Sequence, residues 1–560
     1  MRGSRWKYQS LPQSSPTDFS SVPDSFPMSS PAFGSFEAKS ADESVSTPDT
    51  SETTSADGSF YQAKLGSNPK RKNVFSPLDA AYADAVQRDA ELVVYSEEEE
   101  AVVRQKIDKV VLPLIVISYM CNQFDRTNIG NAHVIPSFNQ NFGITTNKKW
   151  TMALGVFYIG YCILEIPANI LQRRIGANKF FFLSMVFWGL ASISFVYSKG
   201  YPAVIALRVL MGIGEAGYYA GMIYYLSFWY KRSEMAFRIS ISMSGTLPGA
   251  IGSMIAFGLI RANTSLLTGW QLLFLIEAIP TLIMAVVLLL VLPSFPFAAP
   301  FLTTRERAIA QARLNRDQKP QSHGGMTGME GIKAVLSDVH AWLFVILYTC
   351  FNIGAATISY FLPTLIRELG FSPITSQGLV VAPYVVGWFV VVFQAWHSDR
   401  TNDRGWHIML SCVLSVIGYT IIAVCAQKSV AASYYALFLV VAGNYSLFPL
   451  VMSWAANTLS PTSKRGVGTA FIVSISNAVS VGSPHIYFDP QDRFRKGHAI
   501  AGGLLLCGFF AAFTLRTRFA VLNKRNAAKL LAMSPEEKEV LQLNDNEEVW
   551  DNDPRYVFKT

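Results

Sequence analysis

Charge is scarce in this chain: Asp, Glu, Lys and Arg make up 15% of its 560 residues, against about 25% in ordinary soluble domains. With 51% hydrophobic residues and a mean hydropathy of +0.27, that scarcity excludes a soluble globular protein and predicts a polytopic helical one embedded in lipid. Cysteine is scarce too. The six present (Cys121, Cys162, Cys350, Cys412, Cys425, Cys507) fall in apolar segments without paired spacing, which excludes a disulfide framework and a metal cluster. There is no P-loop, no nucleophile elbow and no metal-spaced His/Cys set, so neither an ATP-driven pump nor an enzyme is expected, and no cofactor. No early apolar run resembles a cleavable signal, so the first spanning helix is expected to do the targeting. The net charge of +8 does not point to nucleic acid, because in a membrane protein the location of the basic residues carries the meaning.

Long apolar windows are what the chain does have. Residues 1–95 are rich in Ser, Pro, Thr, Asp and Gly and predict a disordered N-terminal tail. Order is expected to begin at SEEEEAVVRQKIDKVV, where Ser96 and Glu99 have the spacing of a reciprocal helix cap and the acids suit the positive helix end. Spans are predicted at 111–138, 150–171, 180–197, 203–229, 239–259 and 270–292. After a polar loop at 293–339 come 341–365, 377–396, 408–426, 433–455, 469–487 and 499–515. The result is an all-α membrane protein of about twelve helices in two six-helix halves (96–292 and 340–522), a common plan among transporters, with a C-terminal tail at 523–560. A monomer is expected, since each half buries its surface against the other.

Basic residues collect in the loops after spans two, four, eight and ten: Arg173, Arg174 and Lys179; Lys231, Arg232 and Arg238; Arg400 and Arg404; Lys464 and Arg465. The positive-inside rule then places both termini and the central loop in the cytoplasm. The sequon Asn263-Thr264-Ser265, after span five, falls outside, as glycosylation requires.

Ionisable residues inside spans are costly and functional by default. Span one has Asp125 and Arg126 side by side, with Asn128, Asn131 and His133 after them. Span four has RVLMGIGEAGYY, where Arg208 and Glu215 stand seven residues apart, within about 20° of two full helical turns and so on one face. Gly212 and Tyr219 extend that stripe. A guanidinium suits a carboxylate, and a buried carboxylate can bind and release a proton, so the four charges predict an alternating-access site for a small organic anion coupled to protons. Arg126 and Arg208 are the expected anion ligands, Asp125 and Glu215 the proton carriers. Mutual charge pairing that merely holds helices together is the competing explanation. Glu165, beside Pro167 and Asn169, reads as structural, and His133 as equally suited to structure and proton relay. Asn352, Tyr360, Trp388, Asn444, Tyr445 and Asn477 are candidates to line the cavity from the second half, and interhelical glue explains them equally well. Gly245-x-x-x-Gly249 reads as a packing motif.

The stretch WHSDRTNDR resembles the S-D-R-x-x-x-R loop between helices eight and nine of major facilitator transporters. It implies a cytoplasmic gating lock at Asp399, Arg400 and Arg404. The matching loop after span two, NILQRRIGANK, has Arg173 at the usually acidic position. DRTNIGNA, RVLMGIGEAGYYAGMIYYLSFWYKR, GWQLLFLIEAIPT, SWAANTLSPTSKR, SNAVSVGSPHIYFDPQDRFRKGH and DNDPRYVF together resemble the anion:cation symporter family, specifically its fungal allantoate permease group. That resemblance implies a major facilitator fold in the plasma membrane and proton-coupled uptake of organic anions or vitamins such as allantoate, nicotinate, pantothenate or biotin. It also implies anion binding and protonation at Asp125, Arg126, Arg208 and Glu215. An exporter or antiporter of the same fold and a non-transporting sensor are the alternatives. The order Leu247-Pro248-Gly249 does not match the Gly-Pro motif of antiporters.

Overall fold

The computed structural model describes residues 85–86, 88–90, 92–231, 234–235, 238–239, 241, 245–259, 267–317, 328–460, 462–535, 537, 551 and 553–560. The expected tail up to residue 84, the sequon at Asn263 and the basic residue Arg232 lie outside them.

Helix α1 (Glu97–His133) begins as the sequence predicts. Ser96 Oγ accepts the Glu99 N–H at 3.2 Å, and the Glu99 carboxylate accepts the Ser96 N–H at 3.3 Å. A short α2 (Pro136–Phe142) follows, then α3 (Asn147–Ile175), α4 (Ala177–Tyr197), α5 (Tyr201–Glu215), α6 (Tyr218–Leu226), α7 (Thr246–Leu259) and α8 (Gly269–Val291). Helices α9 (Thr304–Asp317) and α10 (Gly328–Leu336) lead to α11 (Val339–Glu368), α12 (Pro373–Thr401), α13 (Gly405–Cys425), α14 (Val430–Thr458), α15 (Thr462–Val479) and α16 (Arg495–Ala532). Ten helical stretches are long and apolar enough to cross a membrane, the pairs α5/α6 and α15 with the 3-10 turn Ser480–Ile486 each counting once. Helix α3 and the shorter apolar α7 pack among them, outside that count. Ile163, Leu290, Phe389 and Phe510 project outward, as lipid-facing side chains do.

The structure adds detail at three places. The segment 293–339 is not a plain loop but carries α9 and α10, and α9 packs against α1. The span expected at 203–229 is two helices. Ala216 is non-helical (ψ 130°) and Gly217 is left-handed (φ 74°), where an added Cβ would stand 2.7 Å from the Ala168 methyl; only glycine fits both demands. Helix α16 runs on past the span expected at 499–515, to Ala532, without a break.

Within the first half α3 packs on α5 and α4 on α8; within the second α13 packs on α14 and α16. The halves meet along α1–α11, α3–α15 and α7–α12. Gly245 and Gly249 do serve packing, admitting the rings of Tyr445 and Tyr384 from the opposite half. The two ends of this seam differ. At the end carrying His133, Arg367 donates to the Val134 carbonyl (2.8 Å), Gln377 to that of Asn131 (3.1 Å) and Asn147 to that of Tyr487 (2.6 Å). At the end carrying Glu97 the ion pairs stay within halves: Arg238–Asp108 and Arg313–Glu100 in the first, Arg404–Asp399 and Lys464–Asp338 in the second. There the halves touch through the rings of Tyr219 and Phe448, 5.5 Å between centroids.

Candidate functional site

Midway along α1, where the halves face each other, lies a cavity of about 130 Å³. Its wall holds Arg126 and no acid, four amides (Asn122, Gln123, Asn352, Asn477), Thr127, Ser359 and seven tyrosines (119, 158, 161, 219, 348, 360 and 445). Residues 119, 122, 123, 126 and 127 follow one α1 face at helical spacing. Arg126 is half-buried, and among the described residues no carboxylate pairs with it. Its guanidinium instead packs over the Phe157, Tyr158 and Tyr161 rings at 4.7, 5.4 and 5.6 Å, which hold a cation in place without neutralising it.

Of the residues expected from the sequence, Arg126, Tyr219, Asn352, Tyr360, Asn477 and Tyr445 line the cavity. Asn352 Nδ2 donates to Asn477 Oδ1 at 3.0 Å, joining α11 to α15.

Arg208 and Glu215 stand behind the wall and do not form an ion pair with each other. The Arg208 guanidinium also lies over the Phe157 ring, 4.7 Å from its centroid, so the two cations share one ring. Arg208 donates from Nε to the Ala153 carbonyl (3.3 Å) and from Nη2 to the Tyr360 hydroxyl (3.4 Å). It therefore reaches the cavity through Tyr360, whose hydroxyl also meets that of Tyr158. Glu215 is 1% exposed, and neither of its oxygens has a hydrogen-bond partner. It is the last residue of α5, immediately before the break, with Asn122 next to it. Gly212 makes this arrangement possible: a Cβ there would come within 2.1 Å of the Phe157 carbonyl oxygen.

Asp125 faces away from the cavity. Its Oδ2 accepts from Thr281 Oγ1 at 2.6 Å and from Trp188 Nε1 at 3.2 Å. The expected single cluster of four charges is thus divided by α1, with Arg126 in front and Asp125 at the back. Asn128 donates to Ser192 (3.4 Å) and Asn444 to the Tyr419 hydroxyl (3.2 Å); both are fully buried in helix contacts outside the cavity. Trp388 lies against Phe389, away from the cavity lining. His133 stacks on Trp150 at 3.7 Å and contacts Asn139 at 2.8 Å, a structural position. At the Glu97 end Arg404 donates to Asp399 (2.6 Å) and Arg400 lies over Trp396. The backbone N–H of Arg404 also donates to the Thr560 carbonyl at 2.8 Å, and Trp454 to that of Lys559 at 2.7 Å, so residues 553–560 dock on the second half.

The sequence did not single out the tyrosines at 119, 158, 161 and 348, which read as ordinary apolar-window residues. Glu277, 1% exposed on α8 with both oxygens unpartnered, was also missed. An acid inside an apolar window was the signal available for it.

Comparison with known proteins gives one consistent family. The model of the Major Facilitator Superfamily matches residues 115–484. The chain is 31% identical to the major facilitator-type transporter hxnP of Emericella nidulans, over 70% of this chain and 80% of that one. It is 31% identical to a putative tartrate transporter of Agrobacterium vitis, over 74% and 91%. Among solved structures, the proton:xylose symporter XylE superposes with a TM-score of 0.60 at 14% identity, covering 75% of this chain and 96% of that one. At that identity the likeness concerns the fold.

Proposed function

The chain belongs to the Major Facilitator Superfamily and is a membrane transporter, and we propose that its cargo is a small organic anion moved by alternating access with protons. One observation carries the reading: a guanidinium that among the described residues makes no ion pair with any carboxylate, on a cavity wall that holds no acid, with Glu215 acting on it only from behind that wall. A cation kept in low dielectric attracts an anion far more strongly than it would in water, and it offers a carboxylate two parallel hydrogen bonds. Tyr360, polarised from behind by Arg208, and the paired amides Asn352 and Asn477 supply the remaining contacts. The volume, about 130 Å³, suits a cargo no larger than a single-ring carboxylate, since a cavity of about 150 Å³ accommodates benzene. The relative named as a putative tartrate transporter agrees with an anionic cargo.

The finer placement, in the anion:cation symporter family and its fungal allantoate permease group, rests on the motifs around Asp125 to Ala132 and Arg208 to Arg232. With the basic end of the helices in the cytoplasm, the hydrogen-bonded seal at the His133 end faces outward and the Tyr219–Phe448 contact faces inward. The protein is read as a monomer of the plasma membrane, with cytoplasmic termini. Proteoliposomes carrying the full chain and an inward proton gradient provide the test. Wild type is expected to accumulate one or more labelled small carboxylates, and Arg126→Ala is expected not to. Normal accumulation by Arg126→Ala would remove the anion site. Rapid exchange of the same carboxylate without any gradient-driven accumulation would favour an antiporter.

A further inference from the structure

Behind α1, away from the cavity, a second acidic centre lies between α1, α4, α7 and α8. Glu277 on α8 is buried against Gly252 of α7, where an added Cβ would stand 3.6 Å from its Oε1. Neither of its oxygens has a hydrogen-bond partner. One turn further along α8, Thr281 donates to Asp125 Oδ2, so Glu277 and Asp125 occupy adjoining levels of one helix contact. Among the described residues, Asp125 is the charged group whose field reaches Glu277. Asp125 itself feels a further acid, Glu215 of α5. The other groups facing the centre are Cys121 of α1, with its thiol against Thr281, and the uncharged Trp188 and Ser192 of α4.

Two ionised carboxylates this close, with no cation between them, would each carry a desolvation cost of several kcal/mol and repel each other as well. The donors choose between them: Asp125 accepts two hydrogen bonds on Oδ2 and none on Oδ1, whereas Glu277 receives none on either oxygen, so the anion suits Asp125 better and the neutral acid suits Glu277. We infer that Asp125 and Glu277 form a proton-binding pair, holding one proton on the face of α1 opposite the anion cavity. The inference deepens the reading above as its proton arm. Asp125 and Arg126 are consecutive, so they point about 100° apart from one helix. Removing the proton sets two negative charges against each other across the α1–α8 contact and drives α1 away from α8, and Arg126 moves with it. Proton loss behind the helix and anion handling in front of it then act through one rigid element.

The test is infrared difference spectroscopy across a pH titration of the full-length protein in proteoliposomes, without cargo. Wild type is expected to give a protonated-carboxyl band that bleaches on titration. Glu277→Gln should lose that band, Glu277→Asp should keep it, and Asp125→Asn should move its midpoint. Should Glu277→Gln fail to fold, the wild-type band and its midpoint shift in Asp125→Asn still decide. No band in wild type, a band unchanged in Glu277→Gln, or a midpoint unmoved in Asp125→Asn would overturn the pair. Because no cargo is present, the result is independent of whether the anion site at Arg126 stands.

Discussion

In the half built from α1 and α3–α8, the interior of the spans holds Asp125, Arg126, Glu165, Arg208, Glu215 and Glu277. In the half built from α11–α16, the buried polar groups among the described residues are amides, hydroxyls and the imidazole of His498, with the buried cations Arg404 and Lys464 kept to the Glu97 end. The two halves repeat a fold and divide the chemistry. Charges move protons and attract an anion, but they do so at a desolvation cost that a helix bundle can carry only where partners or protons offset it. Amides and hydroxyls discriminate by shape and hydrogen-bond count, at lower cost and with weaker grip. The cavity joins the two, with Arg126 on one wall and Asn352, Asn477, Tyr360 and Tyr445 on the other.

The largest effect that would break this comparison concerns the two walls. Losing a buried charge-assisted contact costs roughly 3 kcal/mol, so Arg126→Ala should weaken anion binding about 100-fold. Losing one neutral hydrogen bond costs about 1 kcal/mol, so Asn477→Ala should weaken it roughly fivefold. Cargo-dependent quenching of tyrosine fluorescence measures both. Equal losses would mean that the second half contributes as much grip as the first.

Next in size are the two latches at the Glu97 end. In the first half Arg313 of α9, fully buried, bonds both Glu100 and Glu234. In the second, Lys464 bonds Asp338 at 2.9 Å and Asp551 at 2.5 Å, all three retaining some exposure. Breaking a buried charge network is the more damaging of the two. Arg313→Ala should therefore cost about 3 kcal/mol and Lys464→Ala about 2 kcal/mol, read as thermal midpoints in detergent. Lys464→Ala should also expose residues 553–560 to proteolysis.

Acid should not release the second latch during transport assays. Burial works to raise the Asp338 carboxyl, but hydrogen bonds from His340 and Lys464 outweigh it and hold the group well below the usual carboxylate range. A depressed acid contributes stability above its unfolded pKa of about 3.9 and loses it only as pH falls through the folded value. Burial leaves Asp551 raised despite Lys464, so its protonation comes first and relieves a cost. Limited proteolysis of the tail should therefore be flat from neutral pH down to about pH 5. A loss of protection in that range would make the latch a pH sensor and weaken the assignment of pH response to Asp125 and Glu277.

Much of this division was legible in the sequence. Hydropathy reports where along a span a residue falls, and Arg126 and Arg208 do lie within the helices α1 and α5 that it marked out. It does not report which way a helix is turned. Asn128 and Asn444 have the right depth but face helix contacts, whereas Tyr158 and Tyr161 face the cavity from a window that looked merely apolar. The break after Glu215 was hidden for a similar reason. Gly217 reads as one more small residue in a glycine-rich helix until the Ala168 methyl opposite it is known. Helix α9 and the docked 553–560 segment were missed because contacts with distant elements, not local apolar pattern, fix them.

The smallest effect belongs to Asp399 and Arg404. Their loop has its counterpart after α3, where Arg173 stands in place of the acid, so the second half keeps a pairing that the first cannot make by the same residues. Asp399 is 38% exposed on its side chain, and exposed ion pairs contribute about 0.2–1 kcal/mol. Arg404 also holds the docked tail through its backbone N–H, a contact that a side-chain change at Asp399 leaves alone. Asp399→Asn should therefore shift the thermal midpoint by no more than a few degrees and change the uptake rate less than threefold, consistent with under 1 kcal/mol. A loss of uptake as deep as that of Arg126→Ala would show that this loop gates the transport cycle, and the functional weight now given to the first half would have to be shared with the second.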